Sequence, residues 1–441
     1  MLKKKLNKIV WLEKEQFDLF VQEWQIQIQE PRLIPTLKTG DEMALTSIFL
    51  SWLRLVKEYK NTIFKDFKLT RAGSVYYYTE AFFLDIDKNV RIDWLIIIVI
   101  KWIITDAIFL EMKNKNNPIE EKQIEKYLQV SKKLWISKLI TISNQFVPDS
   151  SHSPINLRVP KNILLLHFSW TYLLTRAHLL LFKNNDTIKD EDQIFIMREL
   201  LYYMENPVSG VLWYTQMKPW WKELAESVRA KKSLKSNDKY IQDSILSWYE
   251  EEKDIALIMS RKLGVLVKSS SKTKESLKKD VTFFIKNNYI KGLLNIKNSV
   301  SDIKIISDFE RRNVSMSVKI LPPLDKWTVA RITWIWKQLE KCEWKNEKLF
   351  KYVKKDIWIE ANIKYAQENI KINLLNLDKL DELTKWKEIN EFKIVFIKDF
   401  WRHFSSNKKF VEIIEKMVLD YYESIVQHIT SWDIPTPKII K

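Results

Sequence analysis

A chain of 441 residues is longer than one hydrophobic core ordinarily covers, so at least two domains are expected. With 46% hydrophobic and 29% charged residues it is neither disordered nor fibrous, and its one cysteine, Cys342, excludes a disulfide framework or a thiolate-rich zinc site within the chain. Lysine and arginine exceed aspartate and glutamate by 73 to 56, a net charge of +17 that favours polyanionic partners such as nucleic acid or anionic lipid; many lysines will equally be solvated helix faces.

The cysteine usage fits a reducing cytoplasm. Met1 to Lys5 resembles the start of a signal peptide, but Asn7, Lys8, Glu13, Lys14 and Glu15 interrupt any apolar stretch after it, so no secretion signal is expected. The most apolar run, Leu95 to Leu110, contains Lys101 and Asp106 and is shorter than the roughly 20 residues a spanning helix needs. It reads as buried strands, with no membrane partner.

Residues 11 to 30 read as a helix ended by Pro31 and Pro35. Thr39 or Asp41 can cap a second helix, in which Met43, Leu45, Ile48, Phe49, Trp52, Leu53 and Val56 recur at helical spacing to about Tyr59. Val75 to Leu84, Ile92 to Ile100 and Ile103 to Met112 are runs rich in β-branched and aromatic residues, which predicts three consecutive strands. Asn117 and Pro118 signal a helix running to about Leu134, with Glu120 and Glu121 favoured near its start. Two strands follow, Lys138 to Ser143 and Asn162 to Phe168.

Residues 186 to 262 look mainly helical, with a break at Pro207 to Gly210, and Lys268 to Lys274 is a polar connector. Beyond it Ser315 to Leu321, Trp358 to Ile363 and Phe392 to Ile397 read as strands, and Ala330 to Cys342 and Lys408 to Ile429 as helices. The expected fold class is mixed α/β: a first domain over 1–185 with a central mixed sheet flanked by helices, a mainly helical connecting region over 186–267, and a C-terminal α+β domain over 268–441 in which no motif carries chemistry.

Glycine is scarce and tryptophan abundant. Ordinary usage of about 7% predicts roughly 30 glycines, against 5 glycines and 19 tryptophans here. Trp102, Trp135 and Trp327 stand where chains usually place glycine: between two apolar runs, just past a helix, and after a Pro-Pro turn. Some bacteria read UGA as glycine, and translating such a gene with UGA as tryptophan produces this pattern. A genuinely tryptophan-rich chain is the alternative.

Asp93 stands beside the start of one predicted strand, and Glu111 and Lys113 end the next, two residues apart and so on one face. Two carboxylates and a lysine on a buried face are costly unless compensated, and a hard divalent cation with oxygen ligands is the usual compensation. Asp93 and Glu111 then hold the ion, Lys113 orients or deprotonates water, and charge on a phosphate is stabilised. Asp106 lies at odd spacing from Glu111 and should face the other way.

This pattern resembles the PD-(D/E)XK nuclease superfamily, whose acid, strand turn and Glu-x-Lys correspond to Arg91-Ile92-Asp93 and Phe109-Leu110-Glu111-Met112-Lys113. Its RecB-like branch adds Gln-x-x-x-Tyr on the following helix, matched by Gln123 and Tyr127, four apart and so on one helical face. A glutamate on the family's first helix corresponds to Glu42, which also suits an ordinary acidic helix start. The resemblance spans residues 39 to 170. It implies a restriction-endonuclease-like core and a hydrolase using Mg²⁺ or Mn²⁺, with Asp93, Glu111, Lys113, Gln123 and Tyr127 catalytic and Glu42, Asp93 and Glu111 as metal ligands. The implied activity is endo- or exodeoxyribonuclease, in restriction, repair or defence, with RNA as the alternative substrate and a protein partner or homodimer left open.

The rival reading is a non-catalytic nucleic-acid-binding module on a nuclease-like fold. Other chemistry is poorly signalled. His152, His167, His178, His403 and His428 lack metal-ligand spacing, and His167 in an apolar strand reads as a satisfied core histidine. No Gly-x-x-x-x-Gly-Lys-Ser/Thr is present, so an on-board ATPase is not expected. The aromatic and basic stretch Trp213 to Lys222 suits helix packing or, alternatively, base stacking.

Overall fold

Three long strands in succession, β2 (Ser74–Phe83), β3 (Asp87–Ile100) and β4 (Ile103–Met112), form an antiparallel meander. The structure is a computed structural model and describes residues 6–29, 40–147, 150–151, 153–182, 188–270, 274–384 and 387–432. Thr39, Pro31, Pro35 and His152 lie outside the described residues.

The chain divides into two compact units, 1–214 with 260–264, and 215–259 with 265–441. Residues 186–267, read from sequence as a helical connecting region, are therefore shared between the units. Of the polar connector, Lys268–Ser269 is a short strand, β7, and 271–273 lie outside the described residues.

In the first unit, β1 (Ile26–Gln29) lies beside β2, while β5 (Lys138–Ser143) and β6 (Leu164–Ser169) run parallel to β4. The result is a six-stranded mixed sheet in the order β1-β2-β3-β4-β5-β6. A parallel pair needs a crossover, and α4 (Glu121–Leu134) supplies it between β4 and β5.

Helices cover both faces of the sheet. On one, α2 (Glu42–Leu55), α3 (Lys57–Asp66), α5 (Trp170–Phe182) and α6 (Glu191–Glu205) bury Phe49, Phe64, Leu173 and Met197 against Ile96, Leu110 and Ile142. On the other, α1 (Lys14–Gln22) and α4 bury Phe17, Ile124 and Tyr127 against Leu95, Phe109 and Leu139. Strands buried on both faces need apolar residues at every position rather than at alternate ones, which is why Leu95 to Leu110 is so apolar. No helix among the described residues is long and apolar enough to cross a membrane.

Three element boundaries differ from the sequence reading. The helix expected over 11 to 30 spans only α1, because the backbone turns left-handed at Trp24 (φ 60°) and continues as β1. The helix expected to reach Tyr59 breaks at Val56, an extended residue (φ −108°, ψ 100°) between α2 and α3. Asn117 and Pro118 precede α4 without capping it, and its N-cap is Glu120.

The second unit carries a seven-stranded, all-antiparallel sheet in the order β12-β11-β13-β10-β9-β8-β7. Of these, β10 (Asn313–Ile320), β11 (Ile357–Ile363) and β13 (Ile389–Asp399) were legible as strands; β8 (Tyr289–Asn295), β9 (Ile303–Asp308) and β12 (Ile370–Asn373) were not. Strict alternation in β10 buries Val314, Met316, Val318 and Ile320. The predicted last helix ends its α-helical part at Tyr421 and continues as a π-helical turn to Val426.

Backbone geometry sorts the tryptophans into two groups. Among the described residues, Trp11, Trp24, Trp102, Trp135 and Trp401 have φ of 71°, 60°, 68°, 62° and 49°, and all five are more than 60% exposed. A bulky residue in this region is strained by about 1–3 kcal/mol, whereas glycine is not. By contrast Trp170, Trp221 and Trp248 are fully buried, and each indole N–H donates to a backbone carbonyl, at 2.8, 2.9 and 3.1 Å. Trp327 is exposed but extended (φ −68°), so its position does not require glycine. Trp94 is core.

Two outcomes are expected. The coding DNA carries UGA at the five left-handed positions and UGG at 170, 221 and 248. In denaturant melts Trp102→Gly and Trp135→Gly each stabilise the protein by about 1 kcal/mol, while Trp170→Gly costs about 3 kcal/mol or more. UGG at Trp102 and Trp135 would count against the code reading.

Candidate active site

The site forms where β3 begins and β4 ends. Trp94 pairs with Leu110 across the hairpin, so Asp93 stands one step further along, opposite Glu111. The acids of Asp93, Glu111 and Glu42, from the first turn of α2, each place an oxygen within 4.8 Å of the others. Lys113, just past β4, puts Nζ 2.9 Å from Glu42 Oε1, to which it donates, and 2.8 Å from Glu111 Oε1. The second contact pairs charges without hydrogen-bond alignment, so Glu111 Oε1 is buried with no hydrogen-bond partner.

The helix α4 locks this arrangement from the side. Gln123 Nε2 donates to Glu111 Oε2 at 2.9 Å and to the Tyr127 hydroxyl at 3.2 Å. That hydroxyl also accepts from the Asp93 backbone N–H at 3.0 Å. The four-residue spacing on one helical face thus bridges the two strands that carry the acids.

Burial decides the electrostatics. Glu111 has no exposed surface, while Asp93 is 17% and Glu42 26% exposed. Desolvation first, then the neighbouring Asp93, pushes the Glu111 carboxyl up to about 8, against the opposing pull of Lys113. For Lys113 burial disfavours the charge, but Glu111 and Glu42 outweigh it and hold the ammonium form above its usual range. Burial, Glu111 and Asp93 keep the Tyr127 phenol protonated.

The sequence-predicted residues Glu42, Asp93, Glu111, Lys113, Gln123 and Tyr127 therefore come together. Glu42, Asp93, Lys113 and Gln123 also line a pocket of about 90 Å³ with Arg91, whose guanidinium lies 3.9 Å from Asp93 and 3.1 Å from Glu80. The rival acid Asp106 pairs with Lys138 at the far end of β4.

Several supporting residues escaped the sequence reading. Asn114, 2% exposed, donates to the Gly40 carbonyl at 3.0 Å and so fixes the chain just ahead of α2, where the Asp41 side chain accepts from the Met43 N–H and caps the helix. Gly40 is left-handed (φ 78°), and a Cβ there would meet the Val208 carbonyl oxygen at 2.3 Å, so glycine is required. Trp170 Nε1 donates to the Lys113 carbonyl at 2.8 Å. The Asp41 cap was legible in the sequence, but Asn114, Gly40 and Trp170 have no local signal, because each partner is distant in the chain.

Beside Glu111 in the sheet, Thr141 and His167 continue the same row on β5 and β6. Thr141 Oγ1 lies 2.9 Å from His167 Nδ1, and His167 Nε2 lies 2.8 Å from the Gln145 carbonyl oxygen. Since a carbonyl only accepts, Nε2 carries the proton and Nδ1 accepts from Thr141. Burial lowers the His167 pKa to about 4, so the ring is neutral, as a core histidine should be.

Three carboxylates gathered this closely, with one ammonium among them, suit a hard divalent cation, which prefers oxygen ligands. The donor set contains no sulfur or imidazole, and softer ions are not favoured. No family model matches the chain, and no curated protein or solved structure is significantly similar to it.

A raised acid pKa stabilises the folded state fully below the unfolded value and loses that stabilisation as pH rises through the folded value. With Glu111 moved from 4.5 to about 8, the metal-free protein should lose stability between about pH 4.5 and pH 8, at up to about 1.4 kcal/mol per pH unit. Urea melts in a chelator should show this loss, and added Mn²⁺ should reverse it. Glu111→Gln should remove both effects; a slope unchanged in that variant would place the titration elsewhere.

Proposed function

We propose that the protein is a metal-dependent nuclease that hydrolyses DNA phosphodiester bonds, and that its first unit is a restriction-endonuclease-like core of the PD-(D/E)XK type. The observation that carries this reading is the convergence of the Glu42, Asp93 and Glu111 carboxylates within 4.8 Å, with the Lys113 ammonium against two of them. An isolated structural ion pair needs no third acid.

Glu42, Asp93 and Glu111 would hold the ion. Mg²⁺ or Mn²⁺, when bound, supplies Lewis acidity that offsets the charge building on a phosphate oxygen. Lys113 has three donors and its hydrogen bond to Glu42 uses one, leaving others for an attacking water or a phosphate oxygen. Because its neighbours hold it as ammonium, it orients water and stabilises charge rather than abstracting a proton. Gln123 and Tyr127 fix Glu111 and the Asp93 backbone at once, which limits the reorganisation that the reaction would otherwise require. Arg91, half-exposed beside Asp93, is placed to meet a phosphate of the incoming strand.

Purified protein with Mg²⁺ is expected to cut DNA, and Lys113→Ala to lower the rate at least about a hundredfold. Nicking of closed circular plasmid marks endonuclease action, and degradation of linear DNA alone marks exonuclease action. Parallel digestion of RNA separates the substrate classes. Equal rates for native protein and Lys113→Ala would overturn the mechanism.

A further inference from the structure

The second unit contains a cleft of about 590 Å³, within the roughly 300–1,000 Å³ typical of ligand sites. Three chain segments form it: the last residue of α7 (Trp220–Arg229) with the stretch that follows, the residue following α8 (Lys274–Asn287), and the turn between β9 and β10. The first contributes Arg229, Lys231 and Lys232, the second Asn288, and the third Glu310 and Arg312.

Its charge is one-sided. Glu310 is the single carboxylate among the lining residues, against four cations. Among the described residues, none of Arg229, Lys231, Lys232 and Arg312 enters an ion pair. Like charges gathered in a concave site repel one another, and the walls of the cleft focus their field toward an incoming anion. Two guanidinium groups and the Asn288 amide add directional donors that match phosphate oxygens.

We propose that this cleft binds the phosphodiester backbone of a nucleic-acid strand. Charge arithmetic argues against a single phosphate monoester. Three positive charges remain uncompensated after Glu310, whereas a phosphate monoester brings only about 1.5 to 2 negative charges at neutral pH. Successive phosphates of one strand neutralise all three, with counterion release as the driving force. The choice of nucleic acid rests on the nuclease reading of the first unit; the anion site does not. It gives the enzyme a grip on its substrate that is separate from the cutting centre.

Full-length Lys113→Ala protein in a chelator is titrated with a fluorescent single-stranded oligonucleotide over a range of salt. The triple variant Arg229→Glu, Lys232→Glu, Arg312→Glu should bind at least about tenfold more weakly. Its plot of log affinity against log salt should be shallower by about two, near 0.7 for each lost phosphate contact. Milder Arg229→Gln, Lys232→Gln, Arg312→Gln changes, checked for an unaltered melting temperature, should show the same trend with smaller size. Unchanged affinity and slope in both variants would overturn the proposal. If inorganic phosphate or ATP binds and is lost in the triple variant while the oligonucleotide is unaffected, the strand assignment is overturned. Strand binding that depends on these residues, in a protein that cuts no DNA with Mg²⁺, would support the cleft and sink the nuclease reading instead.

Discussion

A carboxylate with no exposed surface is the constraint around which the first unit is arranged. Glu111 lies at the end of a strand covered by helices on both faces, and an isolated carboxylate in such a place is far from stable. Its surroundings answer that cost in parts. Gln123 donates to one oxygen, Lys113 brings a positive charge to the other, and a proton is retained up to about pH 8. Asp93 makes matters worse, since a second acid opposite Glu111 raises its pKa further. The proposed cation would relieve the repulsion between these two acids.

The scaffold explains how residues from four places meet. The β3–β4 hairpin sets Asp93 opposite Glu111, the crossover helix α4 returns over the same strand ends, and α2 brings Glu42 in from the other side. Asn114 and Gly40 guide that last approach, and Trp170 holds the backbone of Lys113. The contacts of Lys113 with Glu42, Asn114 with Gly40 and Trp170 with Lys113 span 71, 74 and 57 residues, so the geometry depends on the layered unit and not on the short motifs alone. The stretch Trp213 to Lys222 takes part in packing: Trp221 is fully buried and bonded to the Phe404 carbonyl, and Trp213 is partly buried beneath Arg261.

The two units solve their burial problem differently. The first sheet is sandwiched, and its central strands read as unbroken apolar runs. In the second, β10 and β11 alternate between buried and partly exposed positions, the pattern of an antiparallel sheet with one well-covered face. Strands such as β8, where lysine, glycine and asparagine interrupt the apolar positions, give a weak periodic signal, and only pairing with both neighbours makes them strands. Chain boundaries were hidden for the same reason: residues 186–267 are helical in both units, and helical periodicity does not say which core a helix joins.

The sequence by itself determined the strand meander, the crossover helix and the spacing that puts Glu111 with Lys113 and Gln123 with Tyr127, because these follow from periods of two and of nearly four along one element. It also exposed the glycine deficit, since composition needs no structure. Only the tertiary structure decided that Glu42 reaches Lys113, that Asp93 stands opposite Glu111, and which tryptophans occupy left-handed backbone. The basic cleft likewise joins residues 229 to 232 with 288 and 312. Such placements depend on register, on crossover geometry and on which groups lose their water, and those quantities exist only once distant segments have packed together.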